Sequence, residues 1–386
     1  MCIRDSPGPA AFAQTPEYAY AAFVMDRGSE RIRVYNLGLA QPIDDEVKAM
    51  RASADAEAHS SGLGSARNER AYRVSGEALR RVLWDPLRPA LAGAKMIFVV
   101  PDGMLNLIPF AALPEDAGYL VDHNPVIAML SSERDLLPEE STPKKAGLLA
   151  VGSPEFEEAA LDAAVPPLRG SPVDCEAFNQ MQFSPLPASL GEVQEIATTW
   201  KRWTPREPTD LLTGNDATRA HFLEAAPTAR VLHVATHAFV LDKSCGNGNP
   251  LLRSGLVFAG ANHERQSSVL TAQQIASLDL EGLEWAVLSA CDTGNGELHD
   301  GEGVLGLVRS FRVAGAKTVV MTLWPVEDDM ARRFMRSLYT ERFARHMTSA
   351  DAAWRATGHL LAERRTSGKS THPWYWAGFV ASGAWQ

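Results

Sequence analysis

Two apolar segments of this chain end on side chains that can do chemistry. In "LEWAVLSACDTGNGE", Leu283 to Glu297, the run stops on Cys291 before Asp292, Thr293 and Gly294; in "RVLHVATHA", Arg230 to Ala238, it runs into His237. A thiol attacks as its thiolate, and an imidazole alongside either takes its proton or stabilises the charge. If the two segments are neighbouring parallel strands, His237 and Cys291 share one sheet edge. The backbone N–H groups of Ala238 and Cys291 are then the natural donors to an oxyanion. That set suffices for acyl transfer and calls for no cofactor. Each residue alone has a plainer reading, since a cysteine closing an apolar run is most often a packed hydrophobe.

Other candidates are weaker. His233 precedes His237 on the same run, and period-two alternation puts both on one face. A metal pair there needs a third ligand, none has recognisable spacing, and a satisfied packing histidine is the better reading. Asp292 fits either a site entrance or a turn. "GNGELHDGEG" has glycines but neither phosphate-loop pattern, which argues against a nucleotide-binding enzyme. The aromatics of "HPWYWAGF" read as core, and "TERFARHM" and "AERRTSGK" read as solvated basic faces.

The elements that must hold these residues follow from hydrophobic pattern. "MIFVV", "GLLAVG", "RVLHVATH", "EWAVLSA", "TVVMTLW" and "AGFVAS" are apolar runs alternating with helical patterns. "SLGEVQEIATTW" begins with a capping box, Ser189 with Glu192, and sets Leu190, Val193, Ile196 and Trp200 near one face; "LTAQQIASL" has the same box in Thr271 and Gln274. "GEGVLGLVRSFRVAGA" spaces Val304, Leu307, Val308 and Phe311 for a helix ending near Gly315. Continuous apolar strands with amphipathic helices between them predict a mostly parallel sheet covered on both faces, with chemistry at the strands' carboxyl ends. Upstream, "YAYAAFVMD" and "RIRVYNLG" read as strands joined at Gly28-Ser29. The Ala/Ser/Gly-rich stretch Ala52 to Arg70 reads as a mobile loop or a poorly packed helix end. The Pro-rich segment Ser153 to Pro187 is of a length usually functional or disordered.

With 386 residues, 45% apolar, there is material for a large core or two subdomains, and no apolar run approaches membrane-spanning length. A net charge of -10 gives no basic bias for nucleic acid. The four cysteines, Cys2, Cys175, Cys245 and Cys291, are scattered. That spacing makes a reducing, cytoplasmic compartment the default. "MCIRDS" resembles the translation of a sequencing-adapter remnant, and residues 1–16 read as a non-native or linker segment without a secretory leader.

The ordered motifs "VLHVATHA", "SGLVFAG", "VLSACDTG", "GEGVLGLVRSFRVAGA", "TLWPVEDD" and "HPWYWAGFVASG", with "FVVPDGMLNLIPFAALP", "YLVD" and "LPASLGEVQEIA" upstream, resemble CHAT domains, caspase-like domains associated with tetratricopeptide repeats. The resemblance runs from about Tyr18 to Trp385. It implies an α/β, caspase-like fold: a mostly parallel sheet flanked by helices, with an N-terminal α/β subdomain over 17–145 and a catalytic subdomain over 146–386. It also implies a cysteine endopeptidase, a hydrolase with a Cys291–His237 dyad, in bacterial regulated-death or defence signalling. Ala290-Cys291 matches the family signature, but Ala238 follows His237 where glycine is usual. "TLWPVEDD" is similar to a separase stretch whose acidic residue pairs with arginine before the scissile bond; this maps to Asp328, with Glu327 and Asp329 beside it, and Asp328 as a helix cap is the competing reading. If so, Arg67, Arg70 and Arg169 are self-cleavage points. The implied partners are a protein or peptide substrate and a tetratricopeptide or sensor region, upstream or in trans, with neither nucleic acid nor membrane. The alternative is an inactive caspase-like interaction module.

Overall fold

The computed structural model describes residues 17–60, 65–123, 125–137, 145–157, 175–241, 245, 249–289 and 302–386. The chain opens with an antiparallel hairpin, β1 (Ala19–Met25) and β2 (Ile32–Leu39), followed by two long helices, α1 (Ala40–Ala58) and α2 (Ser65–Leu83), and a short one, α3 (Arg88–Leu91). The Ala52–Arg70 stretch is therefore mostly helix rather than loop. Alanine is the best helix former, and Ser53, Ala54 and Glu57 are buried against α2. Arg67 and Arg70 consequently lie in α2. A helical backbone must unwind before a peptidase can grip it, so neither is a ready cleavage point. Arg169 lies outside the described residues.

One sheet organises the rest. After β3 (Met96–Val99), a two-residue pair β4 and β5 (Pro114–Glu115, Gly118–Tyr119) and β6 (Val126–Met129) come β7 (Leu148–Pro154), α4 (Glu176–Gln180), α5 (Pro187–Trp203) and β8 (Thr209–Gly214). Then follow α6 (Arg219–Ala225), β9 (Val231–Ala235), β10 (Ala238–Val240), β11 (Ser254–Val257), α7 (Arg265–Ser268), β12 (Val269–Thr271), α8 (Ala272–Ile275) and β13 (Trp285–Leu288). The chain ends with α9 (Glu302–Val313), β14 (Thr318–Thr322), α10 (Asp328–Tyr339), α11 (Ser349–Thr366) and β15 (Phe379–Gly383). The eight-stranded order is β3-β6-β15-β14-β13-β9-β7-β8. Every neighbouring pair is parallel except β14 and β15. This is the mostly parallel, helix-flanked α/β sheet that the alternating runs predict.

Every residue of β9, β13 and β14 is buried. A strand covered on both faces has no polar side to alternate, which is why these segments read as continuous apolar runs. α5 lies so close on β7 that a Cβ at Gly152 would come within 2.7 Å of Val193. Val193, Ile196 and Trp200 form the buried stripe of α5, whereas Leu190 is partly exposed and falls outside it. The helix begins at Pro187, so Ser189 is not its cap. Ser189 Oγ instead accepts from the Ser153 N–H at 2.7 Å, and Glu192 turns inward to His233. The Thr271–Gln274 capping box forms as read.

A candidate cysteine-peptidase site

The two strands that carry the candidate residues are neighbours. β9 and β13 pair in parallel, with Trp285 beside Val231 and Leu288 beside Val234, and the Ser289 N–H donates to Val234 O at 2.9 Å. Both therefore run to the same sheet edge, where β9 gives way through Thr236 and His237 to β10. Thr236 Oγ1 donates to Val257 O at 2.6 Å and fixes that change of direction. Ala290, Cys291 and Asp292 lie outside the described residues.

His237 is buried, 4% exposed. Its Nε2 lies 2.8 Å from Ser184 O. A carbonyl can only accept, so Nε2 carries the proton and Nδ1 is the nitrogen able to take one. The ring is bracketed by Phe156 and Phe183, with centroids 5.2 and 5.8 Å away.

Ala238 pairs with Leu256 in the antiparallel sheet β10-β11-β12. The Val257 N–H donates to His237 O and the Leu241 N–H to Arg253 O. These bonds make the positions on either side the hydrogen-bonded ones, and alternation then directs the Ala238 N–H away from β11.

The acidic cluster Glu327–Asp329 lies elsewhere, where the chain leaves β14 at the sheet's carboxyl edge. Leu323 and Trp324 are buried, with Trp324 Nε1 donating to Trp374 O at 3.0 Å, and the chain then emerges. Glu327 is the residue before α10, Asp328 and Asp329 form its first turn, and all three are exposed. Asp329 accepts from Arg333. Carboxylates in a first helical turn favour the helix dipole, and that is compatible with a second use.

His233 takes the plainer of its two readings. Its Nε2 lies 2.9 Å from Glu192 and its Nδ1 3.2 Å from the Tyr339 hydroxyl. Burial, then the Glu192 charge, pushes the Tyr339 phenol well above its ordinary value, so that hydroxyl stays a donor. Both ring nitrogens are thereby engaged by protein groups, and the trio ties β9 to α5 and α10.

What the sequence reading missed is the segment that orients His237. Residues 175–184 cross the site as a strap. Cys175 is joined by a disulfide to Cys245, Arg265 donates to Phe178 O and Met181 O, and Asn262 grips Phe183 through both backbone groups. The pairing also corrects the reading of scattered free thiols: Cys175 and Cys245 are 70 residues apart, and the fold rather than their spacing brings them together. No motif marks a main-chain carbonyl as functional; the length of the Pro-rich segment was the one available signal.

The sheet is thus a mixed α/β, mostly parallel one with a buried imidazole at its carboxyl edge. The chain belongs to the CHAT domain family, which it matches over residues 73–384. Human Tetratricopeptide repeat protein 28 is 26% identical over 319 residues, covering 75% of this chain; the chain spans 12% of that protein's length. Among solved structures, separase in the Saccharomyces cerevisiae separase–securin complex matches 74% of this chain and 15% of its own, at 13% identity and TM-score 0.41. The Arg-specific cysteine proteinase gingipain R matches 67% and 54%, at 10% identity and TM-score 0.41.

Proposed function

We propose that this chain is a cysteine endopeptidase in which Cys291 is the nucleophile and His237 the general base and acid. The parallel pairing of β9 and β13 supports the reading: the chain leaves both strands at the same sheet edge, β9 running on to His237 and β13 leading in sequence toward Cys291. Cys291 Sγ attacks the scissile carbonyl carbon while its proton passes to His237 Nδ1. The carbonyl oxygen, now negative, accepts from the N–H groups of Ala238 and Cys291. Collapse of the adduct breaks the C–N bond, His237 returns the proton to the leaving amine, and water then hydrolyses the thioester by the reverse sequence. No cofactor enters any step.

Asp328, with Glu327 and Asp292, is proposed to favour arginine or lysine before the cut. An exposed carboxylate selects a guanidinium only if bound substrate covers it, so this preference belongs to the complex rather than to the free enzyme. We take residues 1–16 as a non-native or linker segment, 17–145 as an N-terminal subdomain and 146–386 as the catalytic one. A tetratricopeptide or sensor region, in the same longer chain or in trans, is the proposed regulator, in a bacterial signalling or defence pathway. Among the described residues no helix is long and apolar enough to cross a membrane. Cytoplasmic placement is proposed, and there the Cys175–Cys245 pair would stand mostly reduced.

The second reading, an inactive interaction module, is favoured by Ala238, whose methyl stands where glycine's freedom is usual. The two are separated by the pH dependence of alkylation at Cys291, mapped by mass spectrometry in the natural chain and in His237→Ala. Rapid labelling well below the ordinary thiol pKa of about 8.5, lost with His237, is expected of the peptidase. Slow labelling indifferent to His237 would replace it with the interaction module.

A further inference from the structure

Asn262 stands in a half-buried turn, remote in sequence from both candidate catalytic residues, yet it is bonded to both phenylalanines that bracket the His237 ring. Its own N–H donates to Phe156 O at 3.1 Å. Its Oδ1 accepts from the Phe183 N–H at 2.9 Å, and its Nδ2 donates to Phe183 O at 3.1 Å and to Glu157 Oε1 at 2.6 Å. The carboxamide thus pairs with Phe183 as a neighbouring β-strand would, donor to acceptor and acceptor to donor. Phe156 and Phe183 are the two rings that bracket His237, and Ser184, the next residue after Phe183, supplies the carbonyl that holds Nε2.

We infer that Asn262 is the positioning residue of the His237 imidazole, fixing the Nε2–H tautomer by holding the Phe183–Ser184 peptide in place. The inference rests on the Cys291–His237 reading for its consequence, but its first step, control of the ring's tautomer, is independent of any chemistry at Cys291. A free imidazole exchanges its proton between nitrogens; a ring with a fixed acceptor at Nε2 does not. Alanine at 262 leaves the Asn262 backbone bond to Phe156 intact and removes the grip on Phe183, so Ser184 O is released. Arg265 still holds the strap at Phe178 and Met181, which keeps the loss local.

The experiment has two arms on the whole chain. In the first, nitrogen-15 NMR of the His237 ring is recorded near pH 8 in the natural protein, Asn262→Ala and Asn262→Asp. The expected result is a single Nε2–H tautomer in the natural protein and a mixture in Asn262→Ala. Asn262→Asp keeps the acceptor for the Phe183 N–H but loses the donor, so it falls between them. Identical ring signals in all three would overturn the inference. In the second arm, labelling of Cys291 at pH 6 should slow by roughly tenfold or more in Asn262→Ala, as expected when a group orienting a functional imidazole is lost, with the pH profile moving up. A profile that superimposes on the natural one, while His237→Ala departs from it, would also overturn it. If labelling ignores His237 altogether, the dyad reading fails, and the first arm still decides the role of Asn262.

Discussion

Reduction of the Cys175–Cys245 disulfide offers the sharpest test of how the strap is held. The bond closes a segment 70 residues long that contains α4, α5, α6, β8, β9 and β10. Cross-linking a loop of that length removes conformational entropy from the unfolded chain worth about 4 kcal/mol at 25 °C. Native disulfides commonly deliver about 2–4 kcal/mol, because the reduced chain keeps residual structure. Urea unfolding of the oxidised protein, followed by tryptophan fluorescence, should therefore have its midpoint lowered by reductant, with a free-energy loss in that range. The slope should rise as well, since an uncrosslinked chain exposes more surface. Cys175→Ser should match the reduced protein and be indifferent to reductant. Coincident midpoints for oxidised and reduced protein, with both states verified by mass spectrometry, would refute the argument that this bond constrains the unfolded chain.

Two further outcomes follow from buried polar groups. Burial holds His372 down to about 4, against the attraction of Glu57 and Glu69, while Arg364 opposes its protonation. Folded protein thus binds fewer protons than unfolded between the ordinary value of 6.5 and about 4. Stability is therefore lost as pH drops through that window, by about 3 kcal/mol from this group. Urea unfolding at pH 7 and pH 4.5 should show a shallower loss in His372→Gln, and parallel losses would sink the assignment. Glu192→Ala leaves His233 Nε2 buried without its acceptor and should cost about 2–4 kcal/mol. Glu192→Gln retains an acceptor and should cost clearly less; equal costs by the same assay would mean that the His233 bond is not what Glu192 supplies.

How much was legible beforehand depended on whether a residue's role is written in its own neighbourhood. β9, β13 and β14 announced themselves because strands buried on both faces are apolar throughout. β8 did not: as an edge strand it carries Asp210, and its residues are at least partly exposed, so "TDLLTG" has no such run. Ala52 to Arg70 looks loop-like because small residues suggest little to bury, whereas Ala54 packs tightly and Glu57 is buried among Ser60, Ser65 and Asn68. Hydrogen bonds from Ser65, Asn68 and Tyr375 outweigh the upward push of burial and hold the Glu57 carboxyl below its usual range. Ser189 and Glu192 matched a capping box in spacing alone, and tertiary partners on β7 and β9 claimed both. His237 and Ala238 stand out in the sequence because strand ends gather chemistry. Ser184 and Asn262 do not, since what they bring near His237 is a carbonyl and a carboxamide from distant sequence.

The junction of β15 with β6 has a consequence for how copies of this chain can meet. β15 turns antiparallel to β14, and its other side is taken by β6, with Ser382 opposite Met129 and the Ser131 and Ser382 hydroxyls 3.2 Å apart. That side of β15 is thus sealed by the protein's own first third. A second molecule cannot extend the sheet from β15 without evicting β6, so self-association along that strand is unavailable. Strand addition to this sheet is left to its outer strands, β3 and β8.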